Sequence, residues 1–182
     1  MGSAFRSQAA DRLPSVRRRL GHAARVGAVS LGVVLATSGC TLWAWGSNSA
    51  GDLGIGSTTD QSTPIQVGSE GWQSIDDGQD HSCGIRGNGT LWCWGYNVSG
   101  NLGDGTTIQR TAPVRVVGTT TWRKVTAAAD HTCALRSDDS LWCWGYNGNG
   151  ELGIGTTDDH LTPVLVDGAA AWTDISAGAY HT

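Results

Sequence analysis

The 182-residue sequence is poor in charged residues and contains a single Phe. That poverty excludes long, charge-laced helices. It holds no Gly-x-Ser-x-Gly elbow, no P-loop and no His-Glu-x-x-His pair, so the catalytic arrangements those motifs carry have no support here. The apolar run from Val26 to Ala36 falls short of the ~20 residues that a membrane-spanning helix needs. What is abundant is Trp and Gly, with nine of the first and 27 of the second. That balance predicts β-structure punctuated by glycine turns.

Charge divides the chain in two. Residues 1–40 carry six Arg (Arg6, Arg12, Arg17, Arg18, Arg19 and Arg25) against one acid, Asp11. Residues 41–182 carry six basic and fifteen acidic groups, a net of −9. A body that acidic is a poor match for phosphate backbones, so no nucleic-acid partner is expected.

The basic start, the apolar run and the small residues Thr37-Ser38-Gly39-Cys40 have the layout of a secretory signal peptide. Residues 1–40 are therefore expected to be a signal or lipoprotein-type leader. Arg17-Arg18-Arg19-Leu20 loosely resembles a twin-arginine signal, and Gly39-Cys40 resembles the end of a bacterial lipoprotein signal, which makes Cys40 the candidate lipidation site. Thr37 departs from that pattern, which usually has Leu three residues before the cysteine. The expected localisation is the cell envelope, anchored to the membrane by lipid on Cys40, or secretion.

The rest of the chain repeats. Trp72, Trp122 and Trp172 are fifty residues apart, as are His81, His131 and His181. Trp92 and Trp142 keep the interval, and so do Cys83 with Cys133 and Cys93 with Cys143. Trp-Gly recurs at Trp45, Trp94 and Trp144, Leu-Gly at Leu53, Leu102 and Leu152, and Pro at Pro64, Pro113 and Pro163. The repeats run from 72 to 121 and from 122 to 171, with partial units at 41–71 and 172–182.

Each repeat reads as four short strands: Trp72–Ile75, His81–Arg86, Thr90–Gly95 and Pro113–Val117, with proline at the start of the last. Gly87-Asn88-Gly89 is a turn between the second and third. The predicted fold is all-β, a β-propeller of four-stranded blades with about three blades' worth of sequence. Trp72, Trp92, Trp94, Trp122, Trp142, Trp144 and Trp172 are expected to form the packing between blades, with Trp92 opposite Gly84. His81, His131 and His181 are expected to be structural residues hydrogen-bonded within the blades, because they recur once per blade. Asp80 and Asp130 precede the first two of them, but Tyr180 precedes the third.

The turn also places Cys83 opposite Cys93 and Cys133 opposite Cys143. Opposed antiparallel Cα atoms lie ~4.5–5.5 Å apart, within disulfide reach. Two disulfides inside blades are expected in an exported chain. Neither pair has the short spacing of a zinc site. Asp138-Asp139 and Asp158-Asp159-His160 lack the spacing of a Ca²⁺ loop and read as solvated turns. No metal or cofactor is expected. Asn88-Gly89-Thr90 and Asn97-Val98-Ser99 match glycosylation acceptors, a weak signal behind a leader of bacterial type.

Trp122-x8-His131-Thr132-Cys133-Ala134-Leu135, then Leu141-Trp142-Cys143-Trp144-Gly145-Tyr146-Asn147, Gly150-x-Leu152-Gly153-x-Gly155 and Pro163-Val164 resemble the repeat of the regulator of chromosome condensation family. The resemblance covers essentially all of 41–182 and marks the chain as a bacterial exported member. It implies a seven-bladed propeller. Family members include exchange factors for a nuclear small GTPase, a plant ultraviolet photoreceptor and a secreted bacterial β-lactamase inhibitor, so the scaffold does not supply one activity. About three repeats are present, from a third-strand sequence at Leu42–Gly46 to a second-strand sequence at His181-Thr182. The expectation is a partial chain, with assembly of several copies into a completed ring, or an open arc, as the alternatives.

The expected function is a non-enzymatic extracytoplasmic scaffold that binds a protein or glycan partner through its loops at 48–59, 97–107 and 147–159, which read as equivalent. A guanyl-nucleotide exchange factor-like regulator of a small GTPase and a secreted enzyme inhibitor are the alternatives.

Overall fold

The computed structural model describes residues 32–34, 40–118, 121–166 and 171–182. Most of the expected leader lies outside these residues. Eleven strands are described. The first sheet has three: β1 (Gly32–Val34), β2 (Thr41–Gly46) and β3 (Gln61–Gln66). The second runs β4 (Trp72–Asp77), β5 (His81–Arg86), β6 (Leu91–Gly95), β7 (Arg110–Arg115). The third runs β8 (Trp122–Ala127), β9 (His131–Arg136), β10 (Leu141–Gly145), β11 (His160–Val166). All pairings are antiparallel and follow chain order, so the protein is all-β and built of propeller blades. No helix among the described residues is long and apolar enough to cross a membrane.

The hairpin between β5 and β6 follows from its turn chemistry. Gly89 takes φ +77°, and the Asn88 side-chain oxygen accepts hydrogen bonds from the Thr90 amide and hydroxyl at 3.1 and 2.7 Å. This sets the register Cys83↔Cys93 and Gly84↔Trp92. Because side chains alternate across a strand, the cysteines then face one neighbouring blade and the tryptophans the other.

The fourth strand differs from the sequence expectation. It starts at Arg110 in the second sheet and at His160 in the third, so Pro113 and Pro163 lie inside the strand. Each belongs to the edge strand of its sheet, where one side of the backbone has no ladder partner and a missing N–H costs little.

The core lies between sheets. The first interface is built on Leu42, Ala44, Leu53, Val67, Trp72 and Trp94. The second holds the Cys83 and Cys93 sulfurs together with Ile85, Leu102, Trp122 and Trp144. Trp72 and Trp94 meet at 5.4 Å between centroids and 54° between planes, and Trp122 and Trp144 at 5.9 Å and 59°. Such tilted pairs add ~0.5–1.5 kcal/mol beyond the area buried.

Candidate functional site

The expected binding loops are rigid, and one buried residue in each makes them so. Asn48, Asn97 and Asn147 are fully buried. The Asn97 amide nitrogen donates to the Thr106 and Ile108 carbonyls at 3.0 Å each, and its side-chain oxygen accepts from the Leu102 amide at 2.9 Å. Asn48 ties Ser57, Thr59 and Leu53 in the same way. Asn147 ties Thr156, Asp158 and Leu152. Each loop thus satisfies its own backbone through one side chain, while Leu53, Leu102 or Leu152 anchors it in the core. The same burial removes Asn97 as a glycosylation acceptor in the folded chain. The signal that identifies these asparagines is their recurrence two residues after each Trp-Gly pair.

The three loops are not equivalent, contrary to the sequence reading. In the middle loop Val98 and Ile108 are 61% and 58% exposed. The corresponding residues are Ser49 and Thr59 before it, and Gly148 and Asp158 after it. The middle loop also holds Asp104, whose side chain pairs with Arg110 at 2.8 Å. Burial disfavours the Asp104 carboxylate, but hydrogen bonds from Thr106 and Arg110 outweigh it and hold its pKa below the ordinary value. Two large apolar side chains therefore stand in solvent on a braced loop.

Two of the three repeat histidines, His81 and His131, have no access to a substrate. His81 and His131 are each 1% exposed, and His181 is exposed. Their partners lie across the blade interface and not within the blade, a correction to the expectation. His81 Nε2 is 2.8 Å from the Thr132 hydroxyl, which itself donates to the Asn101 carbonyl at 2.8 Å. The ring N–H is therefore the donor to Thr132. The Trp144 indole donates to the same carbonyl at 3.0 Å. Ser82 and Trp94 repeat the arrangement on the Asp52 carbonyl. Burial, then the neighbouring His131, push the His81 pKa down to about 4, so the ring stays neutral.

The tryptophans divide into two classes. Trp72, Trp94, Trp122 and Trp144 are buried between blades, as expected. Trp92, Trp142 and Trp172 are only partly buried at the margins of the clusters. Arg86 lies 3.7 Å over the Trp92 ring and Arg136 lies 3.4 Å over Trp142, so a guanidinium covers the side the core leaves open. The space over Gly84 belongs mainly to β4: a Cβ there would lie 2.3 Å from Ile75 and 2.7 Å from the Trp72 ring.

Cys83–Cys93 and Cys133–Cys143 are disulfide pairs, with Cα atoms 4.1 Å apart in each. Cys40 is free and buried, and its backbone exchanges two hydrogen bonds with Trp72. Among the described residues no group of three or more His, Cys, Asp or Glu side chains could hold a metal ion. Asp77 is the last residue of β4, where burial is the main cause of a pKa raised to about 6.

The geometry matches known propellers. The chain aligns with Prp20p of Saccharomyces cerevisiae at 19% identity over 75% of its length, with a TM-score of 0.66. Human WBSCR16 aligns at 23% identity over 80%, with a TM-score of 0.69. Yeast RCC1 (Prp20) bound to Kap60 aligns at 19% identity over 77%, with a TM-score of 0.69. The chain spans only 36%, 39% and 37% of those three proteins. No curated relative matches it by sequence. The regulator of chromosome condensation (RCC1) repeat model matches residues 41–85, 88–135 and 138–182, and a second model of the repeat matches 73–101 and 122–151. With three matches that together cover most of its length, the chain belongs to the regulator of chromosome condensation (RCC1) repeat family.

Proposed function

We propose that this chain is a non-enzymatic, extracytoplasmic propeller segment that binds a protein partner through its middle loop. The observation that carries the reading is the exposure of Val98 and Ile108 on a loop whose backbone is already fixed by Asn97 and Asp104. A pre-ordered apolar tip loses little conformational freedom on docking, which favours affinity. A protein partner accords with the neighbours: the yeast Prp20p structure is described with its binding properties to Gsp1p and histones, and another holds Prp20 with Kap60. The two disulfides favour an oxidising compartment. Lipid anchorage at Cys40 carries a structural condition, since its buried thiol must leave its place beside Trp72 to take an acyl group.

The test is cross-linking on cells, followed by purification of the tagged chain. Val98→Asp with Ile108→Asp should abolish recovery of the cross-linked protein that the unaltered chain retains. Equal recovery from both would sink the proposal.

A further inference from the structure

The apolar surface of the middle loop continues onto the next blade. Gly100 lies two residues after Val98, and a Cβ on it would lie 2.4 Å from Leu161 Cδ2, so the Leu161 side chain rests on the loop backbone. The Gly105 amide donates to the Leu161 carbonyl at 3.0 Å and holds the start of β11 against the loop. Leu161 remains 37% exposed. On the other limb of the loop, the Ile108 carbonyl is tied to Asn97, the residue before Val98. Val98, Ile108 and Leu161 therefore stand together at the junction of the second and third sheets.

The junction of the first and second sheets has the same construction and a polar surface. Gly51 has the repeat position of Gly100, and a Cβ on it would lie 2.9 Å from Thr111, the equivalent of Leu161. The Gly56 amide donates to the Thr111 carbonyl at 2.7 Å. Ser49 and Thr59 stand where Val98 and Ile108 do. Three hydroxyl side chains at one junction thus become three aliphatic ones at the next. The glycines, the buried leucines Leu53 and Leu102, and the clamps Asn48 and Asn97 are kept. The exchange alters the surface and spares the packing.

The charge around this surface has one sign. The Asp80 carbonyl accepts from the Tyr96 amide at 2.8 Å, two residues before Val98. A Cβ on Gly145 would lie 2.6 Å from the Asp130 carbonyl oxygen and 3.2 Å from the Asn101 Cα, which places Asp130 beside the same loop. Asp158 and Asp159 are exposed just before Leu161. Arg110 is held by Asp104. Arg86, Arg115, Arg123 and Arg136 lie toward the other end of the blades, where the hairpin turns are. Burial, then the Asp80 charge, raise the Asp130 pKa, so the two carboxylates repel one another with no cation between them.

We propose that Val98, Ile108 and Leu161 form one docking surface across this junction, and that its partner is a protein segment whose apolar side chains are flanked by Lys or Arg. The proposal rests on the middle loop being the binding site, and adds a third contact residue and the charge of the partner. Apolar side chains of the partner cover the aliphatic centre. Its cations meet the acidic rim, which speeds encounter and rejects acidic competitors.

Fluorescence anisotropy on the full chain tests this, with labelled synthetic peptides that share their Leu and Phe residues and differ only in carrying Lys, Ser or Glu beside them. The Lys peptide should bind at least about tenfold more tightly than the Ser peptide in low salt, and the Glu peptide should not bind. That margin should shrink at ~0.5 M salt. Leu161→Thr, which copies the side chain already accommodated at Thr111, should weaken binding of the Lys peptide about tenfold. Asp80→Asn with Asp130→Asn should erase the margin between the Lys and Ser peptides. The reverse exchange, Ser49→Val with Thr59→Ile and Thr111→Leu, should create a second site, so that two peptides bind per chain. Equal affinity for the Lys and Ser peptides, or unaltered binding by Leu161→Thr, would overturn the proposal and leave the middle-loop reading standing. Binding of none of the peptides would overturn the proposal as well. Unaltered binding by Val98→Asp with Ile108→Asp would overturn both.

Discussion

Trp144 in the third sheet and Trp45 in the first occupy the same place in the repeat and live in different surroundings. Trp144 is fully buried, donates to the Asn101 carbonyl and packs on Trp122, with the Cys83–Cys93 pair in the same cluster. Trp45 is half-buried and outside any cluster, in a sheet where Ala44 stands at the position of Cys93 and Cys143. Identical residue and register therefore yield different stability roles, because in a stacked-repeat fold it is the neighbouring repeat that completes a site.

The sharpest break of that comparison is truncation of each ring. Trp144→Ala should cost about 3–5 kcal/mol in chemical denaturation. Trp45→Ala should cost less, about 1–2 kcal/mol. Similar losses would erase the distinction. Reduction comes next. Opening Cys133–Cys143 by Cys133→Ala with Cys143→Ala should cost about 2–4 kcal/mol. Mass spectrometry of the unaltered exported chain should find no free thiol at Cys83, Cys93, Cys133 or Cys143.

Acidification separates the interfaces by their histidines. The neutral, buried His81 has a folded pKa near 4, below its unfolded value, so the unfolded chain binds the extra proton. Stability should fall as pH drops from about 6.5 toward 4, by up to ~1.4 kcal/mol per pH unit from this residue. Asp77, raised to about 6, acts the opposite way and removes stability as pH rises from about 4 to 6. His81→Asn should flatten the first slope and Asp77→Asn the second in pH-dependent unfolding. The smallest effect on stability belongs to Val98→Asp with Ile108→Asp, within about 0.5 kcal/mol, while partner recovery is lost.

Much of this architecture is legible in the repeat. The fifty-residue period, the hairpin turn at Asn88 and the opposed cysteines follow from local chemistry, since strand alternation and turn length fix which residues face one another. The His81–Thr132 contact is not legible that way, because it joins positions 51 residues apart on different sheets. Nor is the split between Trp94 and Trp92, which share a face but differ in depth below the neighbouring blade. The middle loop looked like its neighbours because all three share glycines and threonines. Its distinction rests on two side chains, Val98 and Ile108, whose exposure only the folded loop reveals.

The asparagine clamps have a practical consequence. Asn97 reaches carbonyls nine and eleven residues downstream and an amide five residues downstream. An inserted or deleted residue between them would put those groups out of reach. New specificities on this scaffold must therefore arise by exchanging side chains at constant loop length, which makes Val98 and Ile108 natural positions to randomise in a display library.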